Sequence, residues 1–470
     1  MRNLKEADGI RAFRARPAGL PPKADPIDAI PGTKQKIMPV MPNGRLEALR
    51  PFLDHVHRTF ALQFGFRLWD GTLVPSNWPS DALAVSIADE GVVAGLVRRA
   101  NVQTLANLWA SARLDIHNGT IFDLVARRPA VRTRDLRKML SKPLLLRTAL
   151  KFLFAPRGGP WPLESIAEER ESDGSAVENK KNISYHYDVS NAFYALWLDP
   201  EMVYTCSYFT KWDNDLARSQ LDKLEMCCRK LRLKAGESVL DLGCGWGAFS
   251  IYAAQHYGVR SYGVTLSAQQ VSYANERIRT LGLQDRVRIE LRDYATVEGV
   301  YDKVAAIGML EHVGIDNFPT YFKTVHRSLK PGGLFLHHAI TRPGKSHQAR
   351  KRQKRPEFAA LTKYIFPGGE LDYIGRTVTN LERFGFEIHD VEGWREHYQR
   401  TCRYWHDRLL ANMDAAIREV GSVKARIWLM YLAACSISFE RNSVGLHQTL
   451  ASKRVKGSVG LPPTRADLYR

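Results

Sequence analysis

VLDLGCGWG, residues 239–247, is the stretch on which the reading of this chain turns. SVLDL (238–242) is a short apolar run suited to a buried strand, and helical character follows through His256. Three glycines stand between them, as the first strand-to-helix turn of a doubly wound sheet requires. Gly243 and Gly245 let the backbone bend sharply and come close to a ligand at the carboxyl end of the strand. A dinucleotide site uses G-x-G-x-x-G with an acid about 20 residues further on for the ribose. Here the spacing is G-x-G-x-G, and the second strand, VRSYGVT (259–265), ends Gly263-Val264-Thr265 with no acid. Both departures argue against NAD.

Outward from this turn, strand and helix patterns alternate. SAQQVSYANERIRTLG (267–282) reads as a helix. RVRIELRD (286–293), KVAAIGM (303–309) and LFLHHAI (334–340) read as strands, with a helix from Phe318 to Leu329. Such alternation predicts an α/β fold with a mostly parallel sheet over 181–470. The tail 402–455 reads as mostly helical and rich in aromatic residues. Upstream, WPLESIAEERESDGSAVENK (161–180) is polar and acidic, suiting a linker. Residues 46–160 read as a small α+β domain. Asp70-Gly71 marks a hairpin there, and helical periodicity runs from about Gly91 to Ala126. Residues 1–45, rich in Pro, Lys and Arg, read as a mobile basic arm.

Length and composition set the outer bounds. The 470 residues allow two or three domains, and 44% hydrophobic residues exclude global disorder. Six cysteines make no disulfide framework and show no zinc-site spacing, so no metal is expected and a reducing compartment fits. The N-terminus has no apolar signal region, and no window approaches the ~18 apolar residues of a membrane span, so a soluble or peripheral protein is expected. Sixty-eight Lys plus Arg against 49 Asp plus Glu give +19, which suits a polyanionic partner, either nucleic acid or an anionic membrane face. Residues 127–157 carry ten of those cations and one acid, Asp135. Within them LLLRTALKFLF (144–154) reads as a basic amphipathic helix. Taken alone, it suits a helix packing its apolar side on its own domain slightly better than one facing a membrane.

The string D-x-G-C-G-x-G after a strand resembles the first motif of class I S-adenosylmethionine (SAM) methyltransferases. LRDY (291–294) would then place Asp293 and Tyr294 beside the adenine. A longer set of motifs is more distinctive. ISYHYDVSNAFYALWLDPEMVYTCSYF (183–209), TLSAQQ (265–270), GMLEHVG (308–314), HHAIT (337–341), YIFPGG (364–369), EHYQRT (396–401) and YLAAC (431–435) occur in one order. Together they resemble the cyclopropane-fatty-acid synthases and mycolic acid cyclopropane synthases. The resemblance covers 181–470, and 60–126 is similar to the N-terminal domain of the longer bacterial members.

The resemblance implies a Rossmann-like SAM methyltransferase domain. It also implies transfer of a methylene from SAM across a cis double bond in an acyl chain of a membrane phospholipid. The implied SAM residues are Tyr204, Thr205, Gly243, Cys244, Gly245, Thr265, Leu266, Ser267, Gln270, Asp293 and Tyr294, with Thr205 in place of a commoner Ser. The implied base is a bound bicarbonate. Its holders match Cys206, Glu311, His338, Ile340 through its backbone, and Tyr398; Cys435 matches a cysteine once considered a nucleophile. Glu311 is expected to meet that anion with a proton held or shared, since two anions in a dry pocket repel. Carbocation chemistry also asks for aromatic faces, and Tyr185, Tyr187, Phe193, Tyr204, Tyr208, Phe366, Tyr398 and Tyr431 are the candidates.

Individually, Cys206, Glu311, His338 and Tyr398 each suit an ordinary structural role. Jointly, each falls within a family motif and is expected at or near the carboxyl end of a sheet strand, where ligands sit. Two basic runs, 127–157 and ARKRQKR (349–355), are then expected to face phospholipid headgroups, the latter near the acyl entrance. The expected location is cytoplasmic, peripherally bound to the inner face of the plasma membrane, and the resemblance admits a homodimer. One alternative is a fatty-acid methyltransferase that alkylates carbon in the middle of the acyl group and leaves a methylene or methyl branch. The other is a basic nucleic-acid-binding protein or RNA methyltransferase, although no such signature is found and no nucleic-acid partner is expected.

Overall fold

In the computed structural model, β-branched and leucine-rich runs flanked by glycine turns form the strands of the larger sheet. The structure describes residues 44–129, 135, 138–163, 189–344 and 369–469. Tyr185, Tyr187, Phe366, the basic run 349–355 and most of the 161–180 linker lie outside the described residues.

From Arg45 onward the described residues form one compact unit. Its first part carries α1 (Gly44–Thr59), β1 (Gly65–Arg67), β2 (Leu73–Val74), β3 (Ala84–Ile87), α2 (Glu90–Arg98), α3 (Val102–Ala110), β4 (Leu114–His117), α4 (Ile121–Ala126) and α5 (Lys142–Leu153). The hairpin across Asp70-Gly71 forms, with β1 antiparallel to β2. The small sheet runs β2-β1-β3-β4. Leu49, Leu68, Val92, Leu108 and Phe152 are among its own buried core. The expected helical stretch from Gly91 to Ala126 is broken. Ala112 takes a positive φ of 55°, and β4 pairs antiparallel with β3 before the backbone turns helical again. Local periodicity could not show that pairing.

The second part begins with α6 (Asn191–Ala195) and α7 (Leu216–Leu231). Then come β5 (Ser238–Leu242), α8 (Ala248–Tyr257), β6 (Arg260–Thr265), α9 (Ala268–Thr280), β7 (Val287–Leu291) and β8 (Tyr301–Ile307). These are followed by α10 (Leu310–Val313), α11 (Phe318–Ser328), β9 (Leu329–Thr341), α12 (Ile374–Arg383), β10 (Phe386–Gly393), α13 (Arg395–Ala411), α14 (Met413–Val420), α15 (Ser422–Glu440) and β11 (Gly445–Lys453). The seven-stranded sheet has the order β10-β11-β9-β8-β5-β6-β7. β5 through β9 are parallel, and β11 runs antiparallel between β9 and β10. The tail is mostly helical, as expected, but its end is drawn into the sheet as β11. The order reverses at β5, between β6 and β8, which puts a crevice at its carboxyl end.

The two parts meet through helices. Trp109 of α3 donates its indole N–H to the Arg426 carbonyl of α15 at 2.8 Å, and Arg426 returns a bond to the Trp109 carbonyl at 2.7 Å. Phe122 of α4 packs edge-on against His406 of α13, with the Arg403 guanidinium over its ring. The small sheet thus braces α13 and α15. Among the described residues no helix is long and apolar enough to cross a membrane.

Candidate active site

Gly243, Gly245 and Gly247 all sit at positive φ (74°, 56° and 84°), a conformation that side chains with a Cβ resist. The turn they make leads from β5 into α8 and opens a cavity of about 240 Å³. Gly243, Gly245, Thr265, Leu266, Gln270, Asp293 and Tyr294 line it. A narrower extension is lined by Tyr204, Thr205, Cys244, Lys223 and Trp246, and shares Gly243, Gly245, Gln270 and Gly308 with the first. Of the residues expected to hold the cofactor, Ser267 alone lines neither. It caps α9, its hydroxyl accepting the Gln270 N–H at 3.3 Å. Thr265 donates its hydroxyl to the Gln270 carbonyl oxygen at 2.6 Å, leaving the Gln270 amide nitrogen as a donor. Asp293 is oriented by accepting the Ala295 N–H at 3.0 Å.

Beside the narrow end lies an aromatic chamber. Tyr204 is ringed by Tyr194, Trp197, Trp405 and Trp428, with centroids 5.2–6.2 Å away. Phe193 packs on Trp197 and Trp428, Tyr208 on Trp394 and His397, Tyr398 on Trp405 and Phe439, and Tyr431 on Trp428. Cys206 is fully buried here, its thiol donating to the Ser207 carbonyl at 3.1 Å and pointing to that of Trp394 at 3.9 Å. Burial pushes that thiol well up, so it stays protonated.

Glu311, on α10, is 3% exposed. Its Oε1 accepts the Ile340 N–H at 2.6 Å, while Oε2 is buried without a hydrogen-bond partner. Burial raises its pKa to about 7, against the lowering effect of the Ile340 bond. His338 shares a face of β9 with Ile340 and packs edge-on against Trp394 at 5.7 Å. Its Nε2 is likewise buried and unpartnered. Tyr398 is within electrostatic reach of Tyr204, Cys206 and Glu311, and burial pushes its phenol well up. Cys206, Glu311 and Tyr398 are therefore brought together, and His338 joins them across Trp394.

Two expectations need correction. Cys206 lies in a loop and Tyr398 on α13, not at strand ends; helix packing, rather than the sheet, carries them to the chamber. Cys435 is half-buried, and burial raises its thiol to about 12 despite a hydrogen bond with Tyr431. A protonated thiol is a poor nucleophile, so that role finds no support.

The family model for mycolic acid cyclopropane synthetase matches residues 175–449. The chain belongs to that family. It is 34% identical over 428 residues, 90% of this chain and 100% of the other, to a probable fatty acid methyltransferase of Pseudomonas putida. It is 36% identical to the cyclopropane-fatty-acyl-phospholipid synthase of Escherichia coli K12, over 58% of this chain and 68% of that one. Among solved structures it is similar to the Mycobacterium tuberculosis cyclopropane synthase MmaA2 (TM-score 0.54, 28% identity, 58% of this chain and 98% of that one). It is also similar to the mycolic acid cyclopropane synthase CmaA1 complexed with SAH and CTAB (TM-score 0.55, 29% identity, 61% and 100%). The larger sheet is thus the Rossmann-like fold of SAM methyltransferases.

Within this cyclopropane synthetase fold, α7 contributes what the motifs do not. Gln220, Lys223, Cys227 and Lys230 recur at helical spacing, and all are buried. Gln220 donates to the Thr205 carbonyl at 2.9 Å. Lys223, whose pKa burial lowers, donates to the Thr205 hydroxyl at 2.8 Å. Lys230 donates to Gln448 Oε1 at 2.8 Å and pairs with Glu392. That bond fixes the Gln448 amide, whose nitrogen must then donate to His338 Nδ1, 3.0 Å away on the paired strand. Burial and then the positive charges of Lys223 and Lys230 hold His338 well below its usual pKa. Its single proton therefore sits on Nε2, a buried donor without a partner. Gln448→Met removes the tautomer lock and is expected to lower kcat by about 10- to 100-fold with SAM binding unchanged. Nitrogen-15 spectra of labelled histidine would show His338 leaving the Nε2–H form; an unchanged tautomer or unchanged kcat would sink the assignment. The available signal for Lys223 and Lys230 was their spacing of seven, which puts both on the helix face that carries Leu216, Leu224 and Leu231. Gln448 had none.

Proposed function

We propose that this protein alkylates the cis double bond of unsaturated acyl chains in membrane phospholipids, forming a cyclopropane with SAM as methylene donor. The observation that carries the reading is a junction. A glycine-walled cofactor cavity at the end of β5 abuts a cluster of aromatic side chains, and two buried polar atoms of residues that touch or lie near that cluster, Glu311 Oε2 and His338 Nε2, have no partner.

When bound, SAM supplies an electrophilic sulfonium methyl and bicarbonate supplies a base. The donor set suits a small anion: the His338 Nε2–H and the Tyr398 hydroxyl give protons, and a protonated Glu311 adds a third; the Cys206 thiol, which donates to the Ser207 carbonyl, would join them only by turning away from it. The Ile340 amide, implied as a further donor, is held by Glu311 and is available only when that carboxyl releases it. An alkene is a weak nucleophile, so the chamber walls must hold it aligned. The rings of Tyr204, Trp405 and Tyr398 exclude water and present π faces to positive charge developing on the lipid.

Lipids from cells with and without the protein provide the test. A phospholipid species heavier by one methylene is expected, with ring protons and no new olefin or methyl branch by NMR. No mass increase would refute methylene transfer to phospholipid. A methylene- or methyl-branched product would instead support the second reading, which the full-length similarity to a probable fatty acid methyltransferase favours.

A further inference from the structure

Of the fourteen large apolar residues exposed among the described residues, six fall in Met139–Phe154. Amphipathic helices usually turn such residues inward. α5 keeps Thr148 and Phe152 inside: the Thr148 hydroxyl donates to the Ala48 carbonyl at 3.1 Å, and Phe152 joins the small core. Arg98 of α2 fastens the end of the helix through the Leu153 carbonyl at 2.9 Å. The helix is therefore anchored, and its outward leucines are not a by-product of poor packing.

Leu146, Leu150 and Leu153, spaced i, i+4 and i+7, form one outward ridge and are 61%, 56% and 40% exposed; Phe154 extends it at 85%. Lys142 lies on the ridge's near edge, and Arg147 and Lys151 flank it on the other side. Lys138 to Arg157 contains no acidic residue. Among the described residues no acid pairs with Lys142, Arg147 or Lys151. An apolar crest between cations is the pattern of a helix lying in a bilayer interface, leucines among the acyl chains and ammonium groups at the phosphates.

We infer that the outward face of α5 is a docking surface for an anionic bilayer. A second copy is a poorer occupant, because a two-fold contact through this face would oppose cation to cation with no acid between. Taken alone, the pattern of this helix slightly favoured packing of its apolar side on its own domain; only with the family resemblance was the run expected to face headgroups. The fold leaves too many leucines outside for such packing. The inference rests on the proposed lipid chemistry only for the reason the enzyme must reach a bilayer. α5 shares a core with α3, which is bonded to α15, so docking would hold the aromatic chamber near the membrane surface.

Full-length protein is co-sedimented with phosphatidylcholine vesicles with or without phosphatidylglycerol, over a salt series. Binding that requires phosphatidylglycerol and weakens with salt is expected. Leu146→Ser/Leu150→Ser and Arg147→Glu/Lys151→Glu should each lower partitioning by about tenfold or more. Both should leave activity on detergent-dispersed phospholipid unchanged, because these side chains are exposed. Wild-type binding that is absent or indifferent to anionic lipid, or variants that bind like the wild type, would overturn the inference. So would variants that change the oligomeric state instead. Salt-sensitive vesicle binding without any methylene transfer would sink the proposed reaction and leave the docking face standing.

Discussion

Glu311→Ala is expected to lower kcat by about 10²- to 10³-fold while the affinity for S-adenosylhomocysteine is unchanged. The carboxyl is buried, touches the Ile340 amide and keeps a second oxygen without a partner, so its loss removes a preorganised group and not a cofactor contact. Its pKa of about 7, raised by burial, gives the effect a pH signature. Below about 7 the carboxyl holds a proton and can donate to an anion; above it, the ionised form repels one. kcat should therefore fall as pH rises through about 7. Glu311→Gln keeps a neutral donor of the same shape and should restore much of the activity while removing that limb. Stability follows the same sign. A carboxyl raised in the folded state stabilises the fold fully below its unfolded pKa, and this contribution is lost as pH rises through about 7. Glu311→Gln should flatten that part of the stability profile. An unaltered kcat in Glu311→Ala, or a limb near pH 7 surviving in Glu311→Gln, would remove this residue from the mechanism.

Gly245→Val should weaken SAM binding by at least about 10²-fold, since it combines left-handed backbone strain of ~1–2 kcal/mol with a branched side chain in the cradle. A Cβ at Gly245 meets no protein atom within 4 Å, and the residue lines both parts of the cavity, so the added group would occupy ligand space. Gly247 provides the contrast. A Cβ there would sit 2.6 Å from Ile289 Cδ1 and 3.3 Å from Ala274 Cβ, inside the packing of α8 on α9 and β7. Gly247→Val should therefore lower the melting temperature, whereas Gly245→Val should chiefly abolish the stabilisation that added S-adenosylhomocysteine confers. Calorimetry with and without that ligand separates them. Equal ligand affinity in Gly245→Val and the wild type would mean that the cofactor lies elsewhere.

Much of this site was legible in the residues. The glycine turn, the five parallel strands and the acid at the end of β7 follow from short-range patterns: an apolar run, a break and a helical period. Such patterns are written into adjacent positions, because backbone strain and strand alternation are local. The candidate residues of the chamber, and their meeting around one anion, came from the family resemblance, but the elements that carry them there did not. Cys206 reaches it from a loop and Tyr398 from α13, and aromatic packing among Trp197, Trp394, Trp405 and Trp428 brings them there. β4 and β11 were lost inside stretches that read as helical, because a strand is stabilised by its partner and not by its own period.

Sequence alone determined the chemistry class here: which turn could admit a cofactor, and which side groups could give or take a proton. Only the tertiary structure decided which proton His338 carries. Its Nδ1 is claimed by Gln448, 110 residues away in sequence and adjacent only across the β9–β11 ladder, with Lys230 of α7 holding that amide in place. The same holds for α5, where periodicity describes an apolar face but the available core decides whether that face is buried. The small sheet took in Phe152 and left Leu146, Leu150 and Phe154 to the solvent.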